Sequence, residues 1–234
     1  TYESIIPNLV SFRNYKPLLQ EFWKEGLFES MDKRYFRLIN RAPSLSDEVN
    51  WEYLGDYDPF IVFEKIFNGS NVGKEAYFDK MTHFDFKTLL PALLQVEDRM
   101  SMAHGLESRV PFLDYKIVEL AAVIPADIKF KNGEMKRILL KTFSKELPES
   151  ILKRKDKMGF PVPINEWFKN ELKEFIVNIF KDSPDRELLN KNIILDKVTS
   201  EPKFGRKIWG LLSLELWFQE FYDKFDNFKK LIKN

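Results

Sequence analysis

The sequence predicts a mainly α-helical protein with few or no strands, and three observations support this fold class. Apolar side chains recur at helical spacing through most of the chain, as they do on a helix with one buried face. Residues that favour helix starts and ends flank these stretches, for example Asp58 with Pro59, and then Gly69. No segment alternates apolar and polar residues cleanly, as a half-buried strand does.

Most of the predicted helices follow a residue suited to a helix start. These helices cover residues 18–28 (Pro17), 31–40 (Ser30), 59–68 (Asp58), 91–104 (Pro91), 115–124 (Asp114) and 166–180 (Asn165), with the start residue in parentheses. Pro91 is the first residue of its helix, and the others directly precede theirs. Further helices are predicted over residues 76–90, 137–147, 193–198 and 206–232. Aromatic side chains in residues 31–40 are expected in a core, whereas residues 42–57, which contain proline, serine and glycine, are expected to form a polar linker.

Composition narrows the classes of function. Lys and Arg (37) nearly balance Asp and Glu (36), so no basic field would attract nucleic acid. The chain has no cysteine and two histidines, which argues against disulfides and zinc sites and suits a reducing cytoplasm. No apolar run approaches the ~20 residues that cross a bilayer. A cytoplasmic location without nucleic-acid or membrane partners is therefore expected.

The helix over residues 91–104 places charges among apolar side chains. Asp98 and Arg99 are adjacent on it, and their neighbours are largely apolar, so the helix is expected to lie beside a core. Gly105 follows and can take the left-handed conformation that closes a helix. Charged groups beside a core require partners or a ligand.

A second charged pair follows this helix. Glu107 and Arg109 are two residues apart, and Pro111 favours extended backbone just before it, so both side chains should point the same way. The residues alone leave two interpretations open. The charges form either a buried salt-bridge network at a corner between helices or the polar wall of an active site.

Three segments in the same order resemble the synthetase domain of the asparagine synthase family of glutamine-hydrolysing enzymes. They are EDRMSMAHGLESRVPFLD, IPADIKFKNGEMKRILLKTF and LPESILKRKDKMGFPVPINEWF. Three motifs with compatible spacing are far more specific than one. The resemblance is strong over residues 88–168 and weak outside them.

The resemblance implies roles for three basic residues in two loops. Lys157 lies in a K-x-G-F element at the position of the lysine that contacts the reacting phosphate, and Arg154 supports it. Lys136 occupies a GxxK element that helps to position the site. Charge alone, without the resemblance, favours a solvated basic loop over residues 153–157.

For the charged residues around Gly105, the resemblance implies acid–base and binding roles. Glu107 and Asp98 are the candidate bases, with Glu107 and Lys157 as the expected catalytic pair. Arg99 and Arg109 orient these carboxylates or bind substrate charges. No metal ligand is assigned to any residue of this chain.

The chain also departs from the family pattern. It has no cysteine to serve as the glutaminase nucleophile, its nine glycines form no SGG-type phosphate loop, and it begins at Thr1. The resemblance thus implies the helical carboxy-terminal portion of an α/β ATP-pyrophosphatase (adenine nucleotide alpha hydrolase-like) domain. Within it we expect peripheral helices in residues 1–72, the motif-bearing core in 73–168 and terminal helices in 169–234.

This interpretation implies partners that lie outside the chain. Aspartate, ATP with Mg²⁺, and ammonia from glutamine are the expected ligands, and most contacts to ATP are expected from the missing glutaminase and phosphate-loop segments. The isolated chain is then expected to be inactive, and a homodimer is an expected assembly. Two alternatives stay open: a noncatalytic helical module for regulation or oligomerisation, and a related amide- or lactam-forming ligase with another acyl substrate.

Overall fold

The computed structural model of the chain describes residues 29–74, 76–131, 134, 136–154, 162–198 and 206–232. These residues form helices and turns, with isolated bridges but no strand, which confirms the predicted fold class. The described residues divide into two compact units, 29–39 with 58–154 and 40–57 with 162–232. None of their helices is both long and apolar enough to cross a bilayer. The helix predicted over residues 18–28 lies outside the described residues.

The first unit contains eight α-helices among its described residues. They are α1 (Met31–Ile39), α2 (Pro59–Phe67), α3 (Tyr77–Lys87), α4 (Leu89–Met102), α5 (Tyr115–Val123), α6 (Ala126–Lys129), α7 (Arg137–Thr142) and α8 (Glu149–Leu152). Two predicted helix caps are confirmed. The Asp58 carboxylate accepts the Phe60 N–H at 2.8 Å, and the Asp114 carboxylate accepts the Lys116 N–H at 3.0 Å.

Aromatic rings pack the described core of the first unit. Phe63 and Phe67 are almost fully buried, and Phe84 of α3 lies against Phe63 with ring centroids 4.8 Å apart. Tyr35 of α1 stacks on Phe67 at 5.5 Å. These contacts confirm the expectation that the aromatic residues of α1 belong to a core. Aromatic pairs stabilise a core beyond the burial of their area, because the rings prefer particular relative orientations.

Tyr35 also makes the stability of the first unit depend on alkaline pH. Burial, together with the Asp85 carboxylate that accepts its hydroxyl proton at 3.0 Å, raises the pKa of Tyr35 above its ordinary value of 10.0. Above pH 10.0 the unfolded chain loses this proton while the folded chain retains it, so the folded state loses relative stability as pH rises. In urea titrations between pH 8 and 11, the free energy of unfolding of Tyr35→Phe should decrease less steeply with pH than that of the parent chain.

The matched control for this experiment is Tyr53→Phe, because Tyr53 is 54% exposed and belongs to the second unit. The free energy of unfolding of Tyr53→Phe should change with pH as it does in the parent chain. Identical slopes for Tyr35→Phe and the parent would contradict the role of Tyr35.

The second unit has its own apolar core. Its α-helices are α9 (Ile164–Lys169), α10 (Lys173–Asp182), α11 (Lys191–Lys197), α12 (Arg206–Trp217) and α13 (Phe225–Ile232). Side chains from four of these helices meet in the core, including Phe168, Ile176, Ile194 and Ile208, each at most 2% exposed. Burial at this level contributes roughly 1.5–3 kcal/mol for each large apolar side chain.

The prediction of a polar linker over residues 42–57 is only partly right: most of these residues are exposed, but the segment also contributes to the core of the second unit. Short 3₁₀ helices at Ala42–Leu45 and Trp51–Leu54 flank Val49, which is buried in the core of the second unit. The preceding Glu48 is 3% exposed, and the Lys197 ammonium contacts its carboxylate at 3.1 Å. A distant cation compensates the buried charge, so Glu48 and Val49 pack into the second unit while most of the stretch stays exposed.

Two long predicted helices are also interrupted. The helix predicted over residues 166–180 is divided into α9 and α10 at Asn170, whose backbone leaves helical geometry at φ −119° and ψ −97°. The helix begins at Ile164, after Pro163, so Asn165 lies inside it and does not precede it. The final helix is interrupted by a π-helical turn at Phe218–Tyr222 between α12 and α13.

Candidate active site

The closed end of α4 positions the candidate site. The Leu106 N–H donates to the Ser101 carbonyl at 3.0 Å, and the Gly105 N–H donates to the Met102 carbonyl at 3.0 Å. These two bonds form a Schellman motif, which requires a left-handed residue just beyond the helix. Gly105 supplies it with φ +67°, which confirms the predicted role of this glycine. The motif fixes the direction in which the chain continues to Glu107.

Gly105→Ala should therefore destabilise the first unit by about 1–2 kcal/mol, the cost of a left-handed L-residue. A Cβ at this position would meet no atom within 4 Å, so the backbone conformation alone accounts for the cost. The control is Gly210→Ala inside α12, which also has open space around the added Cβ and should stabilise by about 0.5–1 kcal/mol. Urea denaturation measures both. The same sign for both variants would contradict this explanation.

The two charged pairs predicted from the sequence are present. The Arg109 guanidinium lies 3.3 Å from the Glu107 carboxylate, so the two side chains point the same way as predicted. Asp98 and Arg99 also pair, at 3.6 Å. The side chains of Glu107 and Arg109 are 73% and 80% exposed, and the interpretation as a buried salt-bridge network is therefore wrong. Exposed pairs of this kind add little to stability, which leaves both groups available to a ligand.

Sequence reasoning missed one link that holds this segment. The Ser108 hydroxyl, between the two charged residues, donates to the Glu97 carboxylate on α4 at 3.1 Å. This bond ties the extended segment back to the helix that precedes it. A serine eleven positions after a glutamate gives no local signal of pairing, so the contact could be found only from the structure.

Exposed apolar side chains run along α4 and the segment that carries the pair. The expectation that α4 lies beside a core is wrong for most of its large apolar side chains in the described structure, although Leu90 and Leu94 are partly buried. Five apolar side chains of α4 are more than half exposed: Leu89, Leu93, Val96, Met100 and Met102. Leu106 and Phe112, in the segment after α4, are also more than half exposed. Exposed apolar surface of this extent is typical of a surface that binds another protein segment.

Two further sequence-predicted site residues, Lys136 and Arg154, flank short helices of the same unit. Lys136 precedes α7 and has φ +55°, the one non-glycine residue with positive φ among those described. Such a conformation costs of order 1–3 kcal/mol and is concentrated at functional positions. Arg154 is exposed and follows α8. Lys157 lies outside the described residues, so its position relative to Glu107 stays a prediction.

Within the described part of the chain, no group of three or more His, Cys, Asp or Glu side chains is arranged to hold a metal ion. The candidate site consists of the exposed Glu107 carboxylate, paired with the Arg109 guanidinium just beyond the closed end of α4. A carboxylate in such a position can accept a proton, and a guanidinium can bind an anionic group of a substrate.

Comparison with known proteins matches residues 2–219 to the asparagine synthase family. Glutamine-hydrolysing asparagine synthetases 1 and 3 of Bacillus subtilis strain 168 are 35% and 32% identical over 77% and 94% of this chain. The asparagine synthetase of Bos taurus is 34% identical over 48% of it. The matches cover 30%, 34% and 21% of these relatives, about a third of their length or less, and no solved structure matches. The chain therefore belongs to the asparagine synthase family.

Proposed function

We propose that this chain is the carboxy-terminal helical part of an ATP-dependent asparagine synthetase. The whole enzyme adenylates the side-chain carboxylate of aspartate and transfers ammonia from glutamine to it, giving asparagine, AMP and pyrophosphate. The observation that carries the proposal is the exposed Glu107–Arg109 pair, held at the closed end of α4 inside the family motif. The relatives, which are named as asparagine synthetases, support it.

The first chemical step makes a carboxylate oxygen into a leaving group. The aspartate carboxylate attacks the α-phosphorus of ATP, the bond to pyrophosphate breaks, and negative charge develops on the phosphate oxygens. Lys157 supplies a compact cation that can follow this charge, with Arg154 beside it in sequence. Mg²⁺ would neutralise part of this charge, and the described residues contain no cluster of His, Cys, Asp or Glu side chains that could hold it.

The second step forms the amide. Ammonia attacks the activated carbonyl carbon, and the tetrahedral species then loses a proton and expels AMP. Glu107 is the proposed acceptor of that proton, because its carboxylate is exposed and Arg109 restricts its orientation from 3.3 Å. Asp98, paired with Arg99 on α4, is the second carboxylate proposed to face the substrates.

The exposed apolar side chains of α4 are proposed to contact the rest of the synthetase. The chain accounts for about a third of its relatives' length, so a large part of the enzyme is contributed by other sequence. Packing that part against α4 would bury Leu93, Val96 and Met100 and would desolvate the neighbouring Glu107. The carboxylate would then face ATP bound by the other part, as the two-step chemistry requires.

The proposal is tested in a longer protein that contains this chain together with the glutaminase and phosphate-loop segments. Lys157→Ala should lower asparagine formation by at least ~10², as expected when one preorganised contact to developing charge is removed. Lys153→Ala is the matched control, because its ammonium pairs with Glu149 on exposed surface, and it should leave the rate nearly unchanged. Product analysis identifies asparagine, and a pyrophosphate assay follows activation.

Three results would contradict parts of this proposal. An unchanged rate for Lys157→Ala would remove that residue from the mechanism. Amide formation with a different acyl acceptor, but not with aspartate, would identify a related ligase. Absence of any pyrophosphate release in the longer protein would indicate a noncatalytic module.

A further inference from the structure

A cavity of about 480 Å³ lies in the first unit, away from the motif residues in sequence. The start of α1, the loop after α2 and the start of α3 line it, and they contribute Asp32, Asn68 and Lys80. We propose that this cavity binds an L-α-amino acid, with the ligand carboxylate on Lys80 and the ligand ammonium on Asp32. The volume lies within the range of small-molecule sites, roughly 300–1,000 Å³.

Lys80 is buried to an extent that is rare for lysine. It is 6% exposed, and its ammonium donates to the Asn68 Oδ1 atom at 2.7 Å. The rings of Phe67 and Tyr77 lie 5.8 and 5.9 Å away. Among the described residues no carboxylate forms an ion pair with it, although an ammonium has three donors and buried charges are normally paired. An anionic ligand group would supply the missing counter-charge.

Asp32 supplies a carboxylate to the lining of the same cavity. Its Oδ2 atom accepts the Asn68 side-chain N–H at 3.3 Å, and its Oδ1 atom accepts the Lys33 backbone N–H at 2.8 Å. Burial by itself raises the pKa of the Asp32 carboxyl, but hydrogen bonds from Ser30, Lys33 and Asn68 outweigh it and hold the pKa below its ordinary value. The carboxylate is therefore ionised at neutral pH and can accept an ammonium group.

The hydrogen bonds of Asn68 show that the distance between the Lys80 ammonium and the Asp32 carboxylate suits an α-amino acid. One end of its amide accepts from the Lys80 ammonium, and the other end donates to the Asp32 carboxylate. An amide group is only a few atoms across, so the cation and the anion are separated by a gap that a small bifunctional group can bridge. The carboxylate and ammonium of an α-amino acid present the same acceptor and donor with full charges, and charge-assisted hydrogen bonds are stronger than neutral ones.

Calorimetric titration of the full 234-residue chain at pH 7 tests the inference. The probes are L-aspartate, L-asparagine and L-alanine, with succinate as a ligand that lacks the ammonium and putrescine as one that lacks the carboxylate. At least one amino acid should bind with a Kd below ~1 mM, a modest affinity for two charged contacts. Succinate and putrescine should bind at least ~10-fold more weakly, because each loses one charged partner.

Variants locate the site. Lys80→Met and Asp32→Asn, which nearly preserve side-chain size, should each weaken amino-acid binding at least ~10-fold. Lys87→Met, at the far end of α3, should leave it unchanged. Absence of binding by all three amino acids would overturn the inference, as would equal affinity for succinate or retention of affinity in both variants. If Lys80→Met fails to fold, the ligand comparison on the unaltered chain still decides. The result is independent of asparagine formation, which is measured in the longer protein.

Discussion

Replacing Glu107 with glutamine in the longer enzyme should lower asparagine formation by about 10²- to 10⁴-fold, the usual contribution of a general base. Glutamine preserves the size of the side chain and an acceptor oxygen for Arg109, but it cannot take up a proton at neutral pH. Because the base acts after ammonia attacks, the earlier adenylation should be less affected. ATP–pyrophosphate exchange driven by aspartate should therefore persist while amide formation is lost.

The control for this variant is Glu119→Gln, which changes an exposed glutamate on α5 in the same unit and should not alter either reaction. The comparison of the two partial reactions decides the role. Equal losses of exchange and amide formation would assign Glu107 to substrate binding or adenylation. Full asparagine formation by Glu107→Gln would exclude it as the base.

The parts of the fold that depend on neighbouring residues were predictable from the sequence. The Asp58 and Asp114 caps each accept an N–H two residues further along the chain. Two backbone bonds close α4 at Gly105. The Gly105 N–H donates to the Met102 carbonyl, three positions earlier, and the Leu106 N–H donates to the Ser101 carbonyl, five positions earlier. Such contacts are set by residue type and short spacing, so local rules are sufficient to find them.

The parts that depend on distant residues were not predictable. Residues 42–57 contain the polar and turn-forming residues of a linker, yet Lys197 approaches Asp47 to 2.7 Å from 150 positions away in the sequence. That contact, with the burial of Val49, attaches the middle of the stretch to the core of the second unit. Periodicity identified the apolar side chains of α4 as suited to burial, but it could not show that the described chain leaves them exposed.

The candidate site and the cavity differ in the same way in how far the sequence predicts them. Glu107 and Arg109 were found from their motif and spacing, and the structure added their pairing and exposure. The cavity that includes Asp32, Asn68 and Lys80 gave no signal in the sequence, because its lining comes from three separate elements. Sites of that kind become visible only when the packing of those elements is known.

Arg186→Met should destabilise the second unit by about 3–5 kcal/mol, the cost of leaving a buried charge without its partner. The Arg186 guanidinium donates to Glu215 Oε1 and Oε2 at 2.8 and 2.6 Å, and the Glu215 side chain is 1% exposed. It also reaches Asp223 at 2.9 Å and lies 4.5 Å from the Phe218 ring centroid. Glu215 precedes the π-helical turn and Asp223 follows it, so one side chain joins both ends of the interruption.

Two further variants separate the ion pair from the packing around it. Lys224→Met removes an exposed pair with Glu220 in the same region and should cost only about 0.3–0.5 kcal/mol in urea denaturation. The double variant Arg186→Met with Glu215→Leu replaces both buried charges with apolar groups. It should recover most of the loss because the one carboxylate left without its partner, Asp223, is 33% exposed and can be solvated. A loss for Arg186→Met no larger than that for Lys224→Met would show that the pair does not stabilise this turn. A double variant as unstable as the single one would assign the effect to packing or to Asp223 and Phe218, since those contacts are lost in both.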